Sequence, residues 1–320
     1  MSLAVSLPRS RGSAGTNPLP RSRGSAGTDP LPRTRGSAGT NPLPRSRGRA
    51  GWGRLVVIAV LIAAALVTIA PFLWLVVSSL KTETDIFASP LALLKAPTLD
   101  NYASLFKQFH FAIATLNSVV ISLGVVMISV ALGGLAAYGF SRYPFTGSRM
   151  LLTGLLITRM VTPAALVVPL YLIMNALGLL NTLISIILGI AVLNLPFVIW
   201  VLRPFFDALP REIEEAGLVD GLSPFGVFLR IAVRLAAPGL VTVALLSFIA
   251  GWTDLLFPMS FATTPEATPL TSGLLQMQTG YKIYWGSLMA GGVYLTLPTL
   301  ILSFALQKYL IRGMRLGYGR

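Results

Sequence analysis

Residues 210–239 read PREIEEAGLVDGLSPFGVFLRIAVRLAAPG, and they form the one long charge-rich segment of an otherwise apolar chain. Pro210 and the acidic residues after it predict a helix that starts at Arg211, because both features favour a helix N-terminus. Gly221 is expected to end this helix. Ser223 is expected to cap a second one, in which apolar residues recur at helical spacing. These signals predict two short helices joined by a turn. Long hydrophobic runs flank the segment, which places it between two membrane spans.

Two interpretations of this polar segment are open. It is either a compact projection that another protein holds, or an amphipathic loop that lies on the membrane surface. Anionic lipid headgroups attract basic residues and repel acidic ones. Five acidic residues occur in the segment or just before it, namely Asp207, Glu212, Glu214, Glu215 and Asp220. The sequence therefore favours the docking interpretation.

The composition indicates that lipid is the solvent of this chain. Of its 320 residues, 54% are hydrophobic and 11% are charged, and the mean hydropathy is +0.74. That leaves too little charge to cover a water-facing surface. The chain has no cysteine and one histidine, His110. These counts exclude disulfides, cysteine nucleophiles and metal sites built from thiolates or from several imidazoles.

The net charge of +14 is concentrated in residues 1–54, which hold ten arginines and one aspartate. This segment repeats LPRSRGSAGT, with small changes, every 12 residues from residue 7. Its content of Gly, Pro, Ser and Arg predicts a disordered arm. The arm either contacts anionic lipid or is an extension without a specific role, and we favour the second. Because the charge lies in the arm, no nucleic-acid partner is expected.

Six hydrophobic segments follow the arm, each near the ~20 residues needed to cross the hydrocarbon core of a bilayer. They cover about residues 55–80, 112–140, 150–177, 182–202, 239–261 and 287–311. The sequence thus predicts an all-α, polytopic membrane domain over residues 55–320. The polar segment belongs to a loop at 203–238.

The distribution of lysine and arginine predicts the orientation, because these residues are enriched in cytoplasmic loops. With the N-terminus inside and the arm left out, ten of them fall on the inner side and four on the outer side. The inner set is Arg142, Arg149, Arg203, Arg211, Arg230, Arg234, Lys308, Arg312, Arg315 and Arg320. The outer set is Lys81, Lys95, Lys107 and Lys282. Both termini and loop 203–238 are therefore predicted to face the cytoplasm, in a cell membrane.

Three polar residues within the spans are candidates for the lining of a pore. Arg159 and Asp254 would each cost at least ~2.5 kcal/mol if they faced lipid, so both should face protein or a water-filled path. Asn194 is a weaker candidate. The alternative is that Arg159 and Asp254 satisfy helix ends or pair with each other, and the sequence leaves these two readings equally open.

The polar segment resembles the coupling loop of bacterial ABC importer permeases. The pattern of that loop is E-A-A, three residues, G, nine residues, I, one residue and L-P. The positions in register are Glu215, Ala216, Gly221 and Ile231. The positions that depart are Gly217 for the second alanine, Val233 for the leucine and Arg234 for the proline.

The resemblance covers about residues 55–320 and points to the carbohydrate branch, the maltose-permease-like subunits, of which Asp220-Gly221 is typical. Further landmarks include Thr98-Leu99-Asp100-Asn101-Tyr102, Ala136-Ala137-Tyr138, Val168-Pro169-Leu170-Tyr171 and Trp285-Gly286. Many landmarks in the same order make the signal specific, whereas any one alone would be weak. It implies the type I ABC importer permease fold with six transmembrane helices.

The resemblance implies one subunit of a larger transporter. A second permease completes the pore, two copies of a cytoplasmic ABC ATPase bind ATP and magnesium, and a solute-binding protein delivers the solute from outside. This chain lacks the G-x-x-x-x-G-K-[ST] phosphate loop and needs no cofactor of its own. The residues assigned to ATPase coupling are Glu214, Glu215, Ala216, Asp220, Gly221, Phe225 and Ile231. Asp254 is expected to border the path in the inner half of the interface between the two permeases.

Other classes of membrane protein compete with this reading. A secondary transporter usually shows internal symmetry and several charges within its spans, whereas this chain shows two such charges and no obvious duplication. A membrane-embedded enzyme would need paired carboxylates or a histidine cluster inside the spans. An ABC permease for a solute other than a carbohydrate remains an alternative, and the sequence does not name the solute.

Overall fold

The computed structural model describes residues 50–88 and 97–317, and side chains are described for 53–88 and 97–305. Most of the repeat arm therefore lies outside the described residues. The chain divides into two units, Met1–Val57 and Ile58–Arg320. Within the described ranges every regular element is helical, apart from one isolated bridge between Gln278 and Ile283. The prediction of an all-α fold is confirmed.

The first three helices are α1 (Ala50–Ser79), α2 (Glu83–Ala88) and α3 (Asp100–Lys107). Helix α1 is apolar along its length, and its side chains from residue 53 to residue 74 are almost all exposed. An apolar helix surface without protein neighbours is what lipid or another transmembrane helix would cover.

Helices α4 (Phe111–Arg142), α5 (Ser148–Thr158) and α6 (Pro163–Ala176) follow. The span predicted over 150–177 is not one straight helix, because α5 and α6 meet at an angle of 97°. Pro163 explains the break: it has no N–H to continue the helix, and it holds the preceding residue in an extended conformation. Thr162 indeed has φ −59° and ψ 128°.

The polar loop connects α7 (Leu183–Asp207) to the fifth span. It contains α8 (Arg211–Val219), α9 (Pro224–Val227), a π-helical turn (Phe228–Ala232) and α10 (Val233–Leu235). The two predicted short helices are confirmed, while the π-helical turn was not predicted. The connection between α7 and the fifth span is shorter than the predicted loop 203–238, because α7 continues to Asp207.

The last elements are α11 (Ala237–Thr253), α12 (Leu256–Phe261), a 3-10 turn (Pro265–Ala267), α13 (Leu270–Leu275) and α14 (Trp285–Gly317). The predicted span 239–261 is thus interrupted after Thr253. The backbone of Asp254 is extended, with φ −64° and ψ 134°. Its carboxylate accepts a hydrogen bond from the backbone N–H of Phe257 at 3.0 Å, which stabilises the start of α12.

Four of the described helices are individually long and apolar enough to cross a membrane: Gly53–Ser79, Phe111–Arg142, Leu183–Asp207 and Trp285–Ala305. The count reaches the predicted six when each of two bent pairs is taken as one span. One pair is α5 with α6. The other joins Pro224–Leu235 to Ala237–Thr253 through a bend of 82°.

Helix α4 packs between α7 and α11 in the centre of the second unit. Small residues allow these helices to approach closely. A Cβ atom on Gly251 of α11 would lie 2.8 Å from the Cα atom of Ser122 in α4. Near the loop the core consists of aromatic and aliphatic side chains, among them Tyr138, Leu202, Phe206 and Phe228.

Candidate functional site

The turn between α8 and α9 is formed by Gly221, as the sequence predicts. Gly221 has φ +87°, a conformation that glycine adopts without steric cost. The N–H of Leu222 donates to the carbonyl of Gly217 at 3.0 Å, and the N–H of Gly221 donates to that of Leu218 at 3.1 Å. This Schellman pattern satisfies the carbonyl groups at the end of α8.

The start of α9 is capped by Ser223, which confirms that prediction. Its Oγ atom accepts a hydrogen bond from the backbone N–H of Gly226 at 3.1 Å. In the π-helical turn that follows, Phe228 and Ala232 are buried. The ring of Phe228 lies 5.0 Å from that of Tyr138 in α4 and 6.3 Å from that of Phe206 in α7. The second short helix is therefore anchored to the membrane spans by aromatic packing.

Most side chains of the two short helices are exposed, whereas Glu214, Gly217 and Val227 are buried. We call the exposed surface the docking face. Its members among the predicted coupling residues are Glu215, Ala216, Asp220 and Phe225. Phe225 of α9 is 61% exposed, and Val219, next to Asp220 in the sequence, is 87% exposed. Exposed apolar side chains next to acidic ones suit contact with a protein surface rather than with water alone.

Glu214, which the sequence assigns to ATPase coupling, is buried and does not belong to the docking face. It is 6% exposed. Its carboxylate receives two hydrogen bonds of 2.9 Å from Nε of Arg142 and one of 2.7 Å from Nη2. The hydroxyl group of Tyr138 donates to its Oε2 at 3.0 Å. We call Tyr138, Arg142 and Glu214 the Arg142 clamp.

Ile231, another residue assigned to coupling, is partly buried against α8. A Cβ atom on Gly217 would lie 2.5 Å from Cδ1 of Ile231. The glycine at this position thus lets the two short helices pack closely. The contact atom is the end of a flexible side chain, so an alanine would need only a small shift.

The clamp continues into α7 through polar side chains. Arg142 donates from Nη2 to the backbone carbonyl of Leu209 at 3.0 Å, and Ser141 donates to Oδ1 of Asp207 at 2.6 Å. Asp207 also forms an ion pair of 3.4 Å with Arg203. In the sequence, Arg142 contributes only to the distribution of charge, and Tyr138 only to a motif that resembles the permease family. No local pattern places them against Glu214.

A cavity of about 450 Å³ brings together all three predicted pore residues, Arg159, Asn194 and Asp254, and we call it the polar cavity after them. They come from different elements: Arg159 follows α5 at the break before α6, Asn194 lies within α7, and Asp254 follows α11. Thr253 adds a hydroxyl group. The rest of the lining is apolar and consists of Pro163, Ile190, Leu193, Ala250, Leu255, Leu256 and Phe257.

Asn194 is buried and joins three helices. Its amide nitrogen donates to the hydroxyl groups of Ser129 in α4 at 3.0 Å and of Ser247 in α11 at 2.8 Å. Its amide oxygen accepts from Nη2 of Arg159 at 3.4 Å. The Arg159 guanidinium also lies over the ring of Phe197, 4.9 Å from its centroid. Asn194 therefore has a structural role as well as a place in the cavity.

The Asp254 carboxylate bonds to the first turn of α12. One of the two readings, the satisfaction of a helix end, therefore applies together with its place in the cavity. No ion pair joins it to Arg159 in the described part of the chain. It lies beyond the end of α11 that is remote from the polar loop, roughly 25 Å along a helix of 17 residues. With the polar loop on the cytoplasmic side, as the sequence predicts, this distance places Asp254 farther out than the expected inner half of the interface.

Comparison with known proteins identifies the family. Residues 129–316, more than half of the chain, match the family described as binding-protein-dependent transport system inner membrane component. The chain belongs to this family. The matched region contains the docking face, the Arg142 clamp and every element that contributes to the polar cavity.

Several relatives in the family are similar over most of their length. The chain is 35% identical to the probable ABC transporter permease protein YurM of Bacillus subtilis, over 77% of this chain and 82% of that protein. It is 34% identical to the trehalose transport system permease protein SugB of Mycobacterium tuberculosis, over 77% and 90%. It is 32% identical to the trehalose/maltose transport system permease protein MalG of Thermococcus litoralis, over 82% and 96%.

A solved structure supports the fold. The chain matches a chain in the crystal structure of a bacterial ABC transporter involved in the import of the acidic polysaccharide alginate. The TM-score is 0.70 at 22% identity, and the match covers 82% of this chain and 98% of that chain. The prediction of an importer permease with the type I fold is confirmed, and this inner membrane component is a multi-pass membrane protein and not itself a catalytic enzyme.

Proposed function

We propose that this inner membrane component forms half of the pore of an ATP-driven importer for a sugar or sugar-like solute. The observation that carries the proposal is its similarity to permeases of sugar transport systems. The trehalose and the trehalose/maltose permeases are joined by the lactose transport system permease protein LacG of Rhizobium radiobacter, which is 31% identical over 80% of this chain.

The polar cavity is the proposed part of the translocation path, with Arg159, Asn194 and Asp254 as lining residues. One cationic and one anionic side chain line it, together with the hydroxyl group of Thr253 and the ring of Phe257. A neutral solute rich in hydroxyl groups can accept hydrogen bonds from the guanidinium and donate them to the carboxylate. An anionic solute would gain from Arg159 but would be repelled by Asp254. The cavity chemistry thus supports a neutral sugar.

The docking face is the proposed contact with the ATPase. Glu215 and Asp220 supply negative charge, Phe225 supplies an apolar anchor, and Gly221 fixes the angle between the two short helices. ATP and magnesium would bind to two copies of that ATPase, because this chain carries no phosphate loop. Closure of the ATPase pair would then move the docking face.

The remaining partners follow from the proposed pore. A second permease would cover part of the exposed apolar surface that α1 presents, lipid would cover the rest, and a solute-binding protein would deliver the solute on the outer side. With ten inner-side and four outer-side basic residues outside the arm, both termini and the docking face would lie in the cytoplasm.

Purification through an affinity tag on this chain, from membranes of its own host, tests the proposal. A soluble ABC ATPase and a second permease are expected to co-purify. The complex, reconstituted into proteoliposomes with its binding protein, should accumulate radiolabelled trehalose, maltose or lactose only when ATP is present at the ATPase side. Accumulation of an anionic sugar, with none of the neutral ones, would contradict the cavity argument. Purification without any ATPase would contradict the proposal as a whole.

A further inference from the structure

The Arg142 clamp is a buried polar connection between a membrane span and the helix that carries the docking face. The side chains of Arg142 and Glu214 are 9% and 8% exposed, and the shortest distance between them is 2.7 Å. A buried ion pair is strongly destabilised when one partner is removed, because the other charge is then left unpaired. Here both carboxylate oxygens are satisfied, one of them also by the hydroxyl group of Tyr138.

The clamp connects more than two side chains. Through the carbonyl of Leu209, Arg142 also holds the link between α7 and α8. The Tyr138 ring lies 5.5 Å from Phe206 and 5.0 Å from Phe228, so aromatic packing surrounds the polar contact. The cytoplasmic-loop ends of α4 and α7 and the start of α8 are therefore fixed to one another.

The covalent route from α8 to the next span is less direct. It runs through the glycine turn at Gly221, the π-helical turn Phe228–Ala232 and the 82° bend before α11. Each of these irregularities is a place where backbone torsion can absorb a displacement. The clamp bypasses all three and reaches α4 directly.

We propose that Arg142 and Glu214 are positioning residues that make α8 and α4 move as one body, so that displacement of the docking face is transmitted to the cavity through α4. Helix α4 carries Ser129, whose hydroxyl group accepts a hydrogen bond from Asn194 at the cavity. Movement of α4 therefore acts on a cavity residue as well as on the packing of α7 and α11. This inference rests on the proposed contact between the docking face and an ATPase.

A distance measured between α8 and α4 in the complex with the unsubstituted clamp tests whether the two helices move together. It needs no transported solute. Because the chain has no cysteine, the substitutions Glu212→Cys in α8 and Leu132→Cys in α4 provide its two spin-label sites, and the chain is labelled before the complex is assembled. Both side chains are exposed. Between the nucleotide-free complex and the complex trapped with ADP and vanadate, we expect the distance to change by less than about 2 Å. A larger change would overturn the proposal.

The same pair of labels with Glu214→Gln should respond differently. Loss of the ion pair is expected to shift or broaden the distance distribution when nucleotide is trapped. A distribution as narrow as that of the parent in both states would overturn the proposal.

The ratio of solute transported to ATP hydrolysed gives a second, functional readout. In Arg142→Met and Glu214→Gln, ATP hydrolysis should stay within about twofold of the parent, because the docking face is unchanged. The amount of disaccharide (trehalose, maltose or lactose, whichever the proteoliposomes accumulate) taken up per ATP hydrolysed should fall about fivefold or more. Arg142→Lys should lose less than Arg142→Met, since lysine keeps the charge but not the two-pronged geometry.

The matched control removes a different ion pair. Lys282 and Glu83 pair at 3.2 Å with side chains that are 55% and 38% exposed, so Glu83→Gln should leave the transport ratio unchanged. An equal loss in this control, or an unchanged ratio in both clamp variants, would overturn the proposal. A separate variant tests the docking contact itself. If Glu215→Lys leaves ATP hydrolysis unimpaired, the docking contact fails independently of the clamp.

Discussion

The substitution Asn194→Leu tests the polar junction between α4, α7 and α11. Leucine has a similar volume but removes the two hydrogen bonds to Ser129 and Ser247, as well as the weaker one from Arg159. Hydrogen bonds between transmembrane helices average ~0.6 kcal/mol and reach ~1.7 kcal/mol. Two such bonds give a loss of about 1.2 kcal/mol, with an upper limit of about 3.4 kcal/mol. The freed serine hydroxyl groups can bond to carbonyls of their own helices, which favours the lower value.

The assay is unfolding of the purified chain in mixed micelles with a rising fraction of SDS, from which the free energy of unfolding is obtained for parent and variant. Asn175→Leu serves as the matched control, because Asn175 is exposed on α6. That change should alter the free energy of unfolding by no more than about 0.5 kcal/mol. Equal stability of Asn194→Leu and the parent would refute the reasoning that this amide ties the three helices together.

Four further substitutions, at three positions, probe the docking face and the cavity. Glu215→Lys should abolish solute-stimulated ATP hydrolysis while membrane insertion, measured by fractionation, stays intact; stimulation at the parent level would remove Glu215 from the docking face. Gly221→Val should act likewise, since a β-branched residue fits poorly at φ +87°, and circular dichroism of the purified chain would check that the other helices persist. Asp254→Asn should assemble normally but transport with altered rate or affinity. Asp254→Leu should lower the free energy of unfolding by about 1–3 kcal/mol more, because the backbone N–H of Phe257 is left without its acceptor. Parent-like uptake by both variants would remove Asp254 from the path.

Local sequence signals predicted the local structure of the polar loop. Gly221 and Ser223 stand where a helix must end and another must begin, and both act through backbone groups within a few residues of themselves. The same holds for Pro210, which precedes α8 as predicted. Such features depend on chain geometry alone, and so the sequence shows them without knowledge of the fold.

The orientation of each side chain on those helices could not be predicted in the same way. Glu214 and Glu215 are adjacent and chemically alike, yet one is buried against Arg142 and the other is exposed. The difference arises from the packing of α8 on the end of α4, which lies about 70 residues away in sequence. Only the three-dimensional contact separates the positioning residue from the docking residue.

The interrupted spans were missed because hydrophobicity dominated the prediction. Over 150–177 and 239–261 the chain is apolar enough to suggest continuous helices, although Pro163 and Asp254 mark both breaks. These breaks create the cavity, since they place Arg159 and Asp254 at helix ends beside Asn194. The polar residues that were singled out as costly in lipid are thus the ones that the structure brings together.

A cysteine scan along α8 tests most directly whether this inner membrane component couples to a separate ATPase through its docking face. The chain itself contributes no background, because it has no cysteine. In the complex purified through this chain, cysteines at Glu215, Ala216 and Val219, which are exposed, should cross-link to the ATPase with a short bifunctional reagent. Cysteines at the buried positions Glu214 and Gly217 should not. Cross-links of equal yield at all five positions, or none at the exposed three, would contradict the proposed coupling.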